Sequence, residues 1–285
     1  MDAKEIERSI IAYVMTAEKN RVPAEDAIHE RIAGMRIYDE PIVGFASASD
    51  ALFTEEYKKE SVISEEYKAP CEWLSGAKTV ISIFLPFSET VKVSNREKVD
   101  EPYEEGIPQR CSAEWLHARI EGQALINELS AYVEELLIKN GYRAVCPATS
   151  EGFKQLGPYK SNWSERHAAY AAGLGTFGLS RGLITKKGIA GRFGSVITDA
   201  EFPPTVREYD SPFEYCIMCG ACMRRCPAGA IDIKKGCASG KDQTVCGPYV
   251  MGSFLPPHGE KGIVRYGCGK CQTGVPCESG MPRRK

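Results

Sequence analysis

Cys216, Cys219, Cys222 and Cys226 fall within eleven residues, and Pro227 follows the last of them. The spacing Cys-x2-Cys-x2-Cys-x3-Cys-Pro is that of a bacterial ferredoxin run for a [4Fe–4S] cluster. Three thiolates two residues apart can wrap one corner of a cubane, while the fourth, set before proline, turns away to a second cluster. Zinc would ask for two Cys-x2-Cys knuckles closing on one tetrahedral ion, which this run does not supply. Of 12 cysteines in the 285 residues, nine lie beyond residue 215, enough for two clusters held by four thiolates each. Cys277 closes the first set with Cys216, Cys219 and Cys222, in the crossed ferredoxin pattern. Cys226, Cys268 and Cys271 belong to the second. Its fourth ligand is expected to be Cys246, which stands at the start of a predicted helix, with Cys237 in the loop "KKGCASGK" as the alternative. Cys71, Cys111 and Cys146 are scattered and read as small core residues or free thiols. Two clusters make a wire, and a wire needs an acceptor within the protein or on a partner.

The elements that must hold this wire precede it. Residues 3–19 carry Ile6, Ile10, Tyr13 and Val14 at helical spacing, with Asp2 as N-cap. "IVGFASA" (42–48) predicts a short strand. "KTVISIFLPF" (78–87) predicts a longer one whose unbroken apolar run implies burial on both faces. "EKVDEPYEEGIPQR" (97–110) reads as a surface loop. A long helix is expected from Ser112 to Lys139, with Leu129, Val133, Leu136 and Leu137 inward and Asn140-Gly141 as its C-cap. "YRAVCPAT" predicts a strand and "SNWSERHAAYAAGLG" (161–175) a helix stopped by Gly173. "GLIT" and "RFGSVITD" are expected to be two strands paired with each other, and "EFPPT" (201–205) a linker. Strands alternating with helices, followed by a cysteine-rich tail, predict an α/β (α+β) domain over 1–205 and a ferredoxin-like 2[4Fe–4S] module over 206–285.

Several stretches resemble the epoxyqueuosine reductase family of iron–sulfur proteins, which shares its core with corrinoid-dependent reductive dehalogenases. They are "LSGAKTVISIFLPF" (74–87), "ERHAAYAAGLGTFGLSRGLIT" (165–185), "GRFGSVITDAEF" (191–202), the ferredoxin run and "YGCGKCQTGVPC" (266–277). The resemblance implies a nitroreductase-like core, a base-off cobalamin between core and clusters, and electrons passing from the clusters to cobalt. It also implies an Asp as proton donor several residues before the Glu165-Arg166 pair. Here that position falls near Tyr159, which could serve as the acid. Longer family members end in a helical-repeat domain that holds tRNA, whereas this sequence stops at Lys285, and its last ligand spacing is Cys271-x5-Cys277. The expected substrate is therefore a small molecule and not epoxyqueuosine in tRNA.

"GLGTFG" (173–178) fits the pattern G-x-G-x-x-G, but it follows a predicted helix and leads to a strand, the reverse of a dinucleotide-binding fingerprint. Gly173, Gly175 and Gly178 are read instead as a tight turn allowing close approach of a large planar cofactor. Cobalamin is the cofactor that the resemblance names, and FMN the alternative. Arg181 and Arg192 flank that turn and could hold carboxamide or phosphate groups. His167, beside it, could donate a proton or a hydrogen bond.

The net charge of −2 offers no general attraction to nucleic acid. No run approaches the ~20 apolar residues of a membrane span, and the charged amino terminus lacks a signal-peptide apolar region. The cytoplasm is the expected location, and a ferredoxin or flavodoxin the expected electron donor. Two functions fit: a cobalamin-dependent reductase, or a non-catalytic electron-transfer or activator protein whose clusters reduce a partner protein. Either would carry its electrons in two [4Fe–4S] clusters.

Overall fold

A computed structural model describes residues 1–59, 61–97, 110–157, 160–252 and 254–283. Helix α1 (Ala3–Thr16) begins where Asp2 accepts from the Glu5 amide and the Glu5 carboxylate accepts from the Asp2 amide, a reciprocal capping box. Ile6, Ile10 and Val14 are its buried face. Strands β1 (Ile42–Ser47) and β2 (Thr79–Pro86) fall where the sequence predicts them. Every residue of β2 is buried, because it lies inside the sheet with helices on both faces. Helix α2 (Glu89–Arg96) follows, capped by Ser88. Helix α3 (Ala113–Lys139) is capped by Ser112 and ends at Asn140, with Gly141 in the left-handed region at φ 85°. Of the predicted loop 97–110, residues 98–109 lie outside the described residues.

The stretch 142–149 forms only a two-residue strand, β3 (Ala144–Val145), before Pro147. The helix expected over 161–175 is confined to α4 (Glu165–Ala171), and Gly173 stops it at φ 77°. Next come β4 (Gly175–Phe177), β5 (Leu183–Thr185) and β6 (Gly191–Thr198). Here one expectation is corrected. β5 and β6 do not pair with each other. β5 pairs with β4, Thr176 opposite Ile184, around a turn closed by Gly178 N donating to Gly182 O at 2.8 Å. β6 instead enters the main sheet, Ser195 opposite Ser82, giving the antiparallel order β1-β2-β6-β3.

Alternation along the strands divides the core. Ile81, Ile83, Leu85 and Val196 face α1 and α3. Val80 and Ile197 face α4 with Trp163, and Phe84 faces Leu174 and Leu183. The chain beyond residue 205 is mostly turns, with one nine-residue helix, α5 (Gln243–Met251). It is seated on α2 and α3. Buried Asn95 donates to Cys268 O at 3.0 Å and accepts from Ser112 N at 3.1 Å. Arg96 pairs with Glu278 at 2.7 Å, and Arg225 donates to Arg96 O at 2.7 Å. Arg265, 1% exposed, is held by Glu121 and by Asp26 O. Such a buried cation is tolerable only when its hydrogen bonds are met.

Candidate iron–sulfur centres and the seam beside them

Two left-handed residues, Met218 at φ 51° and Gly220 at φ 68°, fold the chain between Cys216 and Cys222 into successive tight turns. Cys216, Cys219 and Cys222 thereby line one cavity, and Cys277 lines its far side. The cavity has an empty volume of about 380 Å3 with its open mouth included, and Leu179, Ile184, Ile189 and Val275 are among its apolar walls. Cys277 is fixed from the core, since its carbonyl accepts from Ile189 N at 2.8 Å. Gly188 permits this contact: a Cβ there would lie 2.2 Å from the Glu278 carbonyl oxygen. Among the described residues, no three His, Cys, Asp or Glu side chains close on a single metal ion. The four thiols stand around a space instead.

Burial, then the neighbouring cysteines, pushes the Cys222 and Cys277 thiols up to about 12. A cationic cluster must therefore displace their protons, which couples its binding to folding. The neighbouring Cys237 lowers the Cys216 thiol to about 6. The structure thus puts Cys237 beside the first ring, with its own Sγ 3.3 Å from Met218 Sδ. Cys246 lies with Cys226 and Cys271, and Cys268 with all three. Burial raises Cys246 and takes Cys268 to about 11. Cys222 of the first group feels Cys271 of the second, so the two are neighbours. Of the three scattered cysteines, Cys111 and Cys146 are buried and Cys71 is exposed.

The glycines of the turn pack closely against neighbouring chain. A Cβ at Gly175 would lie 2.0 Å from Ile184 O, one at Gly178 3.2 Å from Ile184 Cδ1, and one at Gly173 3.1 Å from Thr205. On the side where a Cβ would stand, these glycines approach the protein's own chain. Gly178 also lines the first thiol cavity. His167 is clamped by Ser164 Oγ at 2.8 Å, with the rings of Tyr57 and Phe177 at 5.0 and 4.9 Å. Burial, then the charges of Arg166 and Arg181, pushes it down to about 3. The neutral form is therefore the one favoured at physiological pH. Tyr159 lies outside the described residues.

Arg181 and Arg192, which flank the turn in sequence, are separated in space. Arg181 lines a crevice with Arg166 and Lys241, beside Cys271. Arg192 lies on the α3 face of β6 and donates to Gln123. Burial first, then the charges of Arg119 and Arg166, lowers it to about 10, against the opposing effect of Tyr38. Arg119 stacks on Tyr266 at 4.5 Å. Among the described residues, Arg119 Nε and Tyr38 Oη are buried without hydrogen-bond partners.

Glu165 escaped the sequence reading as a titrating group. Both of its carboxylate oxygens are buried and close no hydrogen bond among the described residues, and beside them Trp163 Nε1 donates to Ser195 Oγ at 3.0 Å. Burial raises its pKa to about 8, with Ser195 and Trp163 opposing. An acidic residue opening a short apolar helix is the only sequence signal of it.

Residues 212–232, which hold the run Cys216–Cys226, match the 4Fe-4S binding domain family. No curated protein matches the chain in sequence. Among solved structures, epoxyqueuosine reductase from Bacillus subtilis aligns with 99% of this chain and 67% of its own, with a TM-score of 0.55 at 18% identity. The enzyme from Streptococcus thermophilus aligns over 100% and 68%, at 0.53 and 17%. The chain has the fold of the epoxyqueuosine reductases. A catabolic reductive dehalogenase in complex with 3-bromo-4-hydroxybenzoic acid shares that reductase fold over 85% of this chain and 30% of its own, with a TM-score of 0.54 at 15% identity. The reductase fold found here is thus a mixed α/β core carrying a C-terminal iron–sulfur region. Among the described residues, no helix is long and apolar enough to cross a membrane.

Proposed function

We propose that the protein is an iron–sulfur oxidoreductase with a nitroreductase-like core, passing electrons through two [4Fe–4S] clusters to a bound corrinoid that reduces a small molecule other than tRNA epoxyqueuosine. The observation that carries this reading is the cavity ringed by Cys216, Cys219, Cys222 and Cys277, with Cys222 next to Cys271 of a second thiol group. Four thiols around an apolar space fit a cubane, and adjacency of the two groups fits a wire. Cys226, Cys246, Cys268 and Cys271 would hold the second cluster.

Likeness to a structure described as informing B12-dependent dehalogenation supports a corrinoid. When bound, a corrinoid supplies reductive chemistry that side chains lack. The orphaned Tyr38 Oη and Arg119 Nε, with Arg192 near both, fit the polar edge of such a group. Glu165 keeps a proton on its buried carboxyl near neutral pH, whereas His167 stays neutral. The absence of an Asp at the Tyr159 position and the net charge of −2 support a substrate other than tRNA.

Anaerobic reconstitution should give about eight irons and eight sulfides per chain. Titration with hydroxocobalamin should then give a base-off spectrum, and epoxyqueuosine-modified tRNA should remain unconverted. About four irons would overturn the two-cluster reading. If neither hydroxocobalamin nor FMN bound, the protein would be an electron relay to a partner, with a ferredoxin or flavodoxin as its donor.

A further inference from the structure

The two thiol groups differ in how they meet solvent. Of the nine cysteines beyond residue 215, Cys219 alone is exposed. It belongs to the first ring, where half-buried Ile217 and Met218 line the cavity beside it. The second group faces the core instead. A Cβ at Gly267, next to Cys268, would lie 3.3 Å from Arg119 Cδ and 3.3 Å from the buried Cys111 Sγ. The unpartnered Arg119 Nε is thus on the side of the second group. We propose that the surface around Cys219, Arg224, Lys234 and Lys235 is the electron-entry face, docking an acidic protein that carries an iron–sulfur centre near its own surface, so that electrons run from the first ring to the second.

Charge and position carry this assignment. Between residues 216 and 242 stand five Lys or Arg against two Asp, on a chain whose net charge is −2. Two of the five cations are engaged within the protein. Arg225 donates to the carbonyls of Arg96 and Lys270, and Lys241 lies against Cys246. The other three, Arg224, Lys234 and Lys235, are exposed. Both acids are turned to the backbone, Asp232 accepting from Lys234 N and Asp242 from Thr244 N at 2.9 Å each. Asp242 feels the charge of Lys235 but closes no ion pair with it among the described residues. The cations are also in the right place. Arg224 Nη1 donates to Cys219 O at 3.1 Å, and a Cβ at Gly220 would lie 3.1 Å from that Nη1 and 3.4 Å from Ile233 Cδ1. At the other end of the same loop, Cys237 Sγ is 3.3 Å from Met218 Sδ. Segment 233–237 is therefore packed on the turn that bears Cys219, with Lys234 and Lys235 at its rim. Methionine and arginine around a small apolar centre suit a protein interface, and a cationic rim steers an acidic partner onto it. A nucleic acid backbone would call for a longer track of cations than three. One electron leaves the partner's reduced iron centre and is taken up at the first ring's cluster, with no bond made or broken and no proton moved.

The inference rests on the two-cluster reading, which the iron count decides separately. The probe is reduced plant-type [2Fe–2S] ferredoxin, an acidic protein, mixed anaerobically with the cluster-loaded chain while bleaching of the clusters is followed. The second-order rate should fall as salt is raised. Lys234→Glu combined with Lys235→Glu should slow it about tenfold. Lys139→Glu, at the end of α3 about 40 Å along the helix from the Ser112 cap, should leave it unchanged. The methyl viologen radical cation needs no docking face, so its rate should not fall in the double variant. A parallel fall would trace the effect to the cluster and overturn the proposal. After treatment with a water-soluble carbodiimide, peptide mapping should find ferredoxin carboxylates joined to Lys234 or Lys235. Cross-links only elsewhere, a rate indifferent to salt, or equal rates in the double variant and Lys139→Glu would overturn the face. So would unmodified tRNA that competes with ferredoxin for it. Each of these outcomes leaves the iron count untouched.

Discussion

The two halves of the molecule are stabilised by different means. Before residue 205, a fully buried central strand is packed between α1 and α3 on one side and α4 on the other. Beyond it, the chain offers few buried apolar side chains, among them Ile231, Val250, Leu255 and Val275. That segment is tied down by polar contacts to α2 and α3. A region that buries little apolar surface needs another source of order, and a metal cluster that binds only the folded chain supplies it. The core is thus expected to fold without cofactor and the module to depend on it.

The strongest way to break this contrast is to remove the iron. After chelation, limited proteolysis should cut the chain beyond about residue 205 and spare the core. Uniform resistance would show that the module orders itself. Substitution refines the same test, because Cys222→Ser and Cys246→Ser should each lose about four of about eight irons, whereas Cys237→Ser should lose none. Intact clusters in the Cys246 variant would transfer its role to Cys237.

A smaller effect is expected where the halves are joined. Asn95→Ala leaves the Cys268 carbonyl and the Ser112 amide without their partner in a buried place. The cost should be about 2–4 kcal/mol, read as a lowered midpoint of chemical denaturation, with the module's near-ultraviolet signal lost before that of the core. A single unshifted transition would deny that Asn95 couples them.

The smallest effect belongs to the core alone. Glu165 holds its proton up to about pH 8 when folded, against an ordinary carboxyl value of 4.5 when unfolded. The folded chain therefore binds the extra proton between those values. Its contribution to stability is full below pH 4.5 and is lost as pH rises through 8. His167 acts in the opposite sense, its contribution being present above 6.5 and lost as pH falls towards 3. Glu165→Gln should gain on the parent by roughly 5 °C in Tm between about pH 5 and pH 8.5. A constant difference across that range would place the carboxyl in contact with solvent.

Sequence alone settled whatever depends on neighbours along the chain. The Asp2–Glu5 capping box, the long α3 helix with its Ser112 cap, the apolar run of β2 and the four cysteines ending at Pro227 are local patterns, and local sterics and hydrogen bonding decide them. Tertiary structure decided whatever depends on distant segments meeting. β6 joins β2 rather than β5 because the whole sheet must cover two helical layers. Ile184 packs against Gly175 and Gly178, and Glu165 titrates high only because the fold buries it. Cys237 and Cys246 could not be told apart by spacing. It is the path of the chain from Cys226 to Cys271 that brings one to the first thiol ring and the other to the second. The seam crevice has no sequence signature, since its cations lie up to 75 positions apart, from Arg166 to Lys241, and only the packing of module on core brings their charges together.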